Sequence, residues 1–175
     1  MKPNQVILYE PQESDAEAVW SFRASCQQKD GEHIPGSAGL GIAESFDMWL
    51  QSSRERYIAK DTRMVPSTVF LAKRISDNAL IGIVDIRHTL DDHLRFVGGH
   101  IGYTVAPQFR RHGYGTKILG AALSHCKQLG LKRALVTCDK TNLGSAGVIL
   151  ANGGVLENEV VDNSRVKQRY WIEIK

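Results

Sequence analysis

The sequence predicts an α/β fold in which a mixed sheet carries helices on its faces. Three observations predict it. The 175 residues are 42% hydrophobic and 23% charged, the balance of one ordinary globular domain. Short β-rich runs bounded by turn residues interleave with segments of helical spacing, in the order β-α-α-β-β-β-α-β-α-β-β. The strand–helix–strand run from residue 95 to 138 calls for a crossover, hence a locally parallel pair.

The elements follow in order. Val6 to Tyr9 reads as a first strand. A helix from Glu13 to Gln28 places Ala16, Val19, Trp20 and Ala24 at helical spacing, with Ser14 or Asp15 as its cap. Residues Asp30 to Gly41 hold four glycines and Pro35 in twelve positions, which forbids a regular element. A loop that long inside a compact domain is often functional. Phe46, Trp49, Leu50 and Tyr57 form the stripe of a second helix, Glu44 to Lys60. Strands follow at Thr68 to Arg74 and Ala79 to His88, split by the turn Ser76-Asp77-Asn78. After a turn at Leu90 to His93, a third strand spans Arg95 to Val105, and Pro107 ends it because proline cannot donate to a ladder. Gly113 to Leu129 is a helix with Ile118, Leu119, Ala122, Leu123, Cys126 and Leu129 on one face, stopped by Gly130. Lys132 to Cys138 is a strand, Asn142 to Ala151 a short helix, and Gly153-Gly154 a break. Val155 to Val161 and Val166 to Ile174 supply the last two strands.

Composition excludes several classes. A chain of this length buries roughly 70% of its unfolded surface, so it needs neither disulfide nor metal to fold. No apolar run is long enough for a membrane helix, and Met1 to Asn4 lack a signal-peptide pattern, so a cytoplasmic protein without membrane contact is expected. Cys26, Cys126 and Cys138 are odd in number and far apart, which suits reduced thiols and no metal site. The net charge of +3 is mild. Its basic residues gather at a single turn with no aromatic stacking stripe, which argues against nucleic acid.

That turn is the most informative segment. In Val105-Ala106-Pro107-Gln108-Phe109-Arg110-Arg111-His112-Gly113-Tyr114-Gly115-Thr116 a strand ends, a basic turn follows and a long helix begins. The first N–H groups of a helix lack intrahelical partners and carry partial positive charge. Gly113 and Gly115 let backbone approach an anion, and Arg110, Arg111, His112 and Lys117 add charge. Together they read as a pyrophosphate seat. The patterns G-x-x-x-x-G-K-[ST] and G-x-G-x-x-G are both absent, which turns the reading away from nucleotide hydrolases and dinucleotide dehydrogenases.

Arg110-x-x-Gly113-x-Gly115 resembles the [QR]-x-x-G-x-[GA] signature of the GNAT superfamily, the Gcn5-related N-acetyltransferases. Asn142-x-x-Ser145 followed by Asn152-Gly153 is similar to that family's segment after its fifth strand, and the order of elements matches over nearly the whole chain. The blocks Gly98 to Tyr103 and Arg169 to Ile172 resemble a bacterial branch of predicted acetyltransferases. The resemblance implies an acetyl-CoA-dependent N-acetyltransferase that moves an acetyl group to a primary amine of a small molecule or peptide, with acetyl-CoA and that amine as its partners. It also implies that N–H groups from Arg111 to Thr116 hold the pyrophosphate. By the same likeness Tyr103, Thr104 and Val105 pair with the pantetheine arm. Asn142 bonds the pantetheine amide, and Ser145 lies one turn beyond it.

Catalytic groups depart from that pattern. The family's tyrosine, seven positions after the asparagine, is Ile149 here, and its strand acid, fourteen residues before the first signature glycine, is Gly99. The candidates that remain are His100, Asp85 and Tyr170, with Tyr103 and His88 beside them, or a site without a side-chain acid. The departures leave a second reading, a non-catalytic module that binds acetyl-CoA as a sensor. A homodimer fits the sequence, but no feature demands one.

Overall fold

The computed structural model describes residues 5–58 and 64–175. The elements come in the expected order. They are β1 (Val6–Tyr9), α1 (Ala16–Asp30), α2 (Phe46–Glu55), β2 (Ser67–Arg74), β3 (Leu80–Arg87), β4 (Ile101–Val105), α3 (Tyr114–Gln128), β5 (Arg133–Asp139), α4 (Leu143–Ala151), β6 (Val155–Asp162) and β7 (Arg165–Glu173). Met1 to Asn4 and the expected helix end at Lys60 lie outside the described residues.

The mixed α/β class holds, but the strand pairing differs from expectation. The strands form two sheets, β1-β2-β3-β4 and β5-β7-β6, and every paired neighbour is antiparallel. The parallel pair expected between β4 and β5 is a wedge. The two strands touch at the root of β4, where the His100 N–H donates to the Leu135 carbonyl at 2.7 Å. From there they diverge, and each hands its other edge to an antiparallel neighbour.

The expected strand from Arg95 to Val105 is strand only in its second half. Leu94–Gly98 coils into a π-helical turn and only Ile101–Val105 is strand. Asp91 Oδ1 accepts the Leu94 N–H at 2.7 Å, and Arg87 Nη1 donates to the carbonyls of Gly98 and Gly99 at 3.3 and 3.1 Å. Gly99 takes φ +69°, which few other residues adopt, and a Cβ there would stand 2.6 Å from the Leu135 carbonyl oxygen.

Strand alternation then divides the core. Leu71 and Ile83 face α1 and α2, joining Val19, Phe22, Trp49 and Leu50. Val84 and Ile86 face α3, joining Ile118, Leu119, Ala122, Val136 and Ile172. Each such fully buried aliphatic side chain contributes about 1.5–3 kcal/mol. Three stripe residues fall outside this packing, Ala24 because α1 turns Val19, Phe22 and Cys26 inward instead. Tyr57 is exposed because α2 stops at Glu55 and tightens into a 3-10 turn, Arg56–Ile58, which changes the period of the stripe. Leu129 is exposed because it lies one residue past the end of α3.

Candidate active site

Where β4 and β5 part, the fold leaves a cleft of about 860 Å³. Alternation along the two strands gives it two mouths. Tyr103, Val105 and Cys138 point to the side of α3 and α4, whereas Gly102, Thr104, Thr137 and Asp139 point the other way.

The first mouth begins at the basic turn. Pro107–Phe109 forms one 3-10 turn, and Arg111 and Gly113 then take left-handed φ of 65° and 78° before α3 starts at Tyr114. Such a turn aims successive backbone N–H groups at one point, and the first N–H groups of α3 follow directly. A Cβ at Gly113 would meet nothing within 4 Å, so this backbone faces open cleft. Gly115 is glycine for another reason: a Cβ there would stand 2.9 Å from Val148 Cγ2, so its absence lets α3 pack on α4.

Arg110 is a clamp. Its Nε donates to the Val105 carbonyl at 3.0 Å and its guanidinium grips both carboxylate oxygens of Asp30, tying the end of β4 to the end of α1. Its charge is paired with a carboxylate of the protein itself, whereas Arg111 lines the cleft beside the turn. Of the positions that the resemblance assigns to the cofactor, all but His112 and Tyr114 line the cleft. His112 is exposed, and the Tyr114 ring is buried in the core, where its hydroxyl accepts from Arg74 Nη1 at 2.7 Å.

Asn142 caps α4, its Oδ1 accepting the Ser145 N–H at 3.0 Å, and leaves its amide NH₂ to the cleft. The Ser145 hydroxyl lies 3.2 Å from the Tyr103 hydroxyl. This pair bridges β4 and α4 along the cleft wall. Burial pushes the Tyr103 phenol up to about 12, which the Ser145 bond only partly offsets, so it stays protonated at neutral pH.

The second mouth lies under the glycine-rich loop. Gly36 and Gly102 meet backbone to backbone: a Cβ on Gly36 would be 2.1 Å from the Gly102 carbonyl. Thr104 Oγ1 donates to the Pro35 carbonyl at 2.6 Å. Both glycine clusters were visible in the sequence, and their mutual contact is the signal that sequence reading missed. His33 and Arg87 also line this side.

His100, Asp85 and Tyr170 are not among the lining residues. The Nδ1 of His100 accepts the Leu135 N–H at 2.9 Å, so imidazole and backbone together form a two-bond clip at the root of the wedge. With that lone pair engaged, the ring holds no free base toward the cleft. Burial, aided by the Arg95 charge, lowers its pKa to about 4. Asp85 is 3% exposed; its Oδ2 sits 3.5 Å from Arg87 Nη2 and its Oδ1 has no hydrogen-bond partner. Tyr170 is core, with its hydroxyl donating to Gln168 Oε1 at 2.7 Å. His88 bonds Thr68 Oγ1 at 2.8 Å. Ile149, at the family's tyrosine position, is fully buried in the α3 side of the core.

The clip has a pH signature. A histidine whose folded pKa is depressed stabilises the fold above its unfolded value near 6.5, and that stability is lost as pH falls toward 4. The loss amounts to about 2–3 kcal/mol. Thermal melts from pH 7 to 4 are expected to show a steeper decline for the wild type than for His100→Asn, whose amide oxygen can still accept the Leu135 N–H. Equal slopes would remove His100 from that role.

The sequence matches the acetyltransferase (GNAT) domain family over residues 5–155. The chain belongs to the GNAT acetyltransferase family. The family is one of acetyl-CoA-dependent acetyltransferases. No curated relative matches this GNAT chain. Among solved structures it is similar to the ribosomal-protein-S5-alanine acetyltransferase of Vibrio fischeri, with a TM-score of 0.74 at 15% identity, covering 100% of this chain and 96% of that one. RimJ of Mycobacterium smegmatis, solved with CoA-disulfide, gives 0.71 at 22% identity over 98% and 83% of the two chains. The microcin C7 self-immunity acetyltransferase MccE, solved with acetyl-CoA and AMP, gives 0.69 at 17% identity over 97% and 93%. At these identities the likeness is one of fold. Among the described residues, no helix is long and apolar enough to cross a membrane, and no group of three or more His, Cys, Asp or Glu is placed to hold a metal ion.

Proposed function

We propose that the chain is a single cytoplasmic acetyltransferase domain that passes the acetyl group of acetyl-CoA directly to a primary amine of a small molecule or peptide in a ternary complex. The observation that carries this reading is the wedge with two mouths. Acetyl-CoA enters on the α3–α4 side, its pyrophosphate on the N–H groups of Arg111 to Thr116 and its pantetheine arm along Tyr103 to Val105 as an added strand. Asn142 donates to the arm. The amine enters on the Gly36–Gly102 side and meets the thioester where the strands part. Its nitrogen lone pair forms the C–N bond, the tetrahedral intermediate collapses, and the C–S bond breaks with its electrons on sulfur. The Tyr103–Ser145 hydroxyl pair supplies the proton that sulfur needs, taking the place of the tyrosine that Ile149 replaces. The amine's surplus proton leaves to water: His100, Asp85 and Tyr170 do not line the cleft, the Asp30 and Asp139 carboxylates that do are held by Arg110 and Lys167, and His33 stands exposed to solvent.

The pH–rate profile tests this. With no side-chain base, the acidic limb of kcat/KM follows the pKa of each amine offered, shifting as that amine is changed. A limb fixed at one pH for every amine would reveal an enzyme base instead. The buried Ile149 favours one second reading, a CoA-binding module that performs no transfer. CoA binding without acetylation of any amine would select it.

A further inference from the structure

Resting on the acetyl-transfer reading above, we propose that the acceptor is an amine that also carries an anionic group, a carboxylate or a phosphate, and that this group docks on Arg87. Arg87 ends β3 and lines the second mouth. Its guanidinium is held in place from behind: Nη1 donates to the Gly98 and Gly99 carbonyls, and Nη2 stands 3.5 Å from the buried Asp85 carboxylate. What remains of it opens on a slot walled by backbone. A Cβ placed on Gly102 would lie 3.6 Å from Arg87 Nη1 and 3.0 Å from the Gly36 Cα, so the packed backbones of Gly36 and Gly102 form the wall beside the guanidinium where it lines the cleft. A planar fork fixed in this way presents donors to a carboxylate or phosphate with little ordering cost.

The opposite wall adds charge of the same sign. Lys167 Nζ lies 2.7 Å from Asp139 and Arg165 lies 4.0 Å from it, so two cations share one carboxylate. Arg165 is 75% exposed at the hairpin turn and meets an incoming ligand first. An ordinary amine arrives as an ammonium ion, and three cations set against the two carboxylates of Asp85 and Asp139 leave a net positive charge that repels it. An amine with its own negative charge is drawn in instead, and the same cations favour the neutral, nucleophilic form of its nitrogen.

Matched acceptors test the proposal: β-alanine against β-alaninamide for the carboxylate, phosphoethanolamine against ethanolamine for the phosphate. The anionic member of at least one pair is expected to show a kcat/KM larger by roughly 10–100-fold, from one hydrogen-bonded charge pair. Added salt should shrink the preference. Arg87→Met should bring the ratio toward one by raising KM for the anionic member far more than for the neutral one, and an unchanged ratio in the folded variant overturns the proposal. Because Arg87 also pins the π-helical turn, Arg165→Gln provides a second variant outside any packing role, and it should reduce the ratio too. Equal or better use of the neutral members overturns this proposal alone. Transfer to no amine at all overturns the acetyl-transfer reading, and this proposal with it.

Discussion

Gly113→Val is expected to weaken CoA binding by roughly 10²–10⁴-fold while the protein stays folded. Two charge-assisted hydrogen bonds at about 1.5–3 kcal/mol each set that range. The residue has φ +78°, where a β-branched side chain is strained, and the space a Cβ would take holds no protein atom. The valine therefore intrudes on the anion seat and leaves the core alone, at a strain cost of about 1–3 kcal/mol. Titration calorimetry with CoA checks it, alongside a melt. Gly115→Ala makes the contrast, because its methyl would press on Val148 and separate α3 from α4. Unchanged CoA affinity in folded Gly113→Val would move the pyrophosphate off this turn.

Tyr103→Phe is expected to lower kcat by about 10²-fold and leave CoA affinity intact, the low end for loss of a general acid. The hydroxyl is 3.2 Å from Ser145 Oγ, and the ring stays packed between β4 and α3 when only oxygen is removed. Ser145→Ala should cost less, since the phenol keeps its proton without it. Burial holds that phenol up at about 12, so its donor form persists through the alkaline range. Wild-type activity should accordingly show no alkaline fall below pH ~10. Stopped-flow thiol release at saturating substrates separates kcat from binding. A Tyr103→Phe enzyme with full kcat would leave the thiolate to depart unassisted.

The phosphate turn was legible because it is local: strand end, basic residues, two glycines and a helix start lie within twelve consecutive positions. Chemistry that depends on distant contacts was not. Arg110 reads as free charge in sequence, yet its partner Asp30 lies eighty positions away. His100 reads as a base on a strand, yet its imidazole is held by Leu135, thirty-five positions on. The glycines before β4 looked like weak strand residues; Gly99 holds a positive φ beside the β5 backbone, and Gly102 receives Gly36. Arg87 carried no signal, because its significance comes from the π-helical turn it pins and the slot it faces. The order of elements survived these misreadings, since periodicity and turn residues are also local. The parallel β4–β5 pair did not, because a crossover helix specifies adjacency and not a ladder.

A crystal structure of the chain with CoA decides whether the wedge between β4 and β5 is the acetyl-CoA site. Phosphate oxygens are expected within hydrogen-bond distance of the N–H groups of Gly113 and Gly115. The pantetheine arm is expected to extend beside Tyr103 to Val105, with its sulfur beside the Tyr103 and Ser145 hydroxyls. CoA seated outside the wedge, or β4 and β5 joined there by a continuous ladder, would contradict this placement.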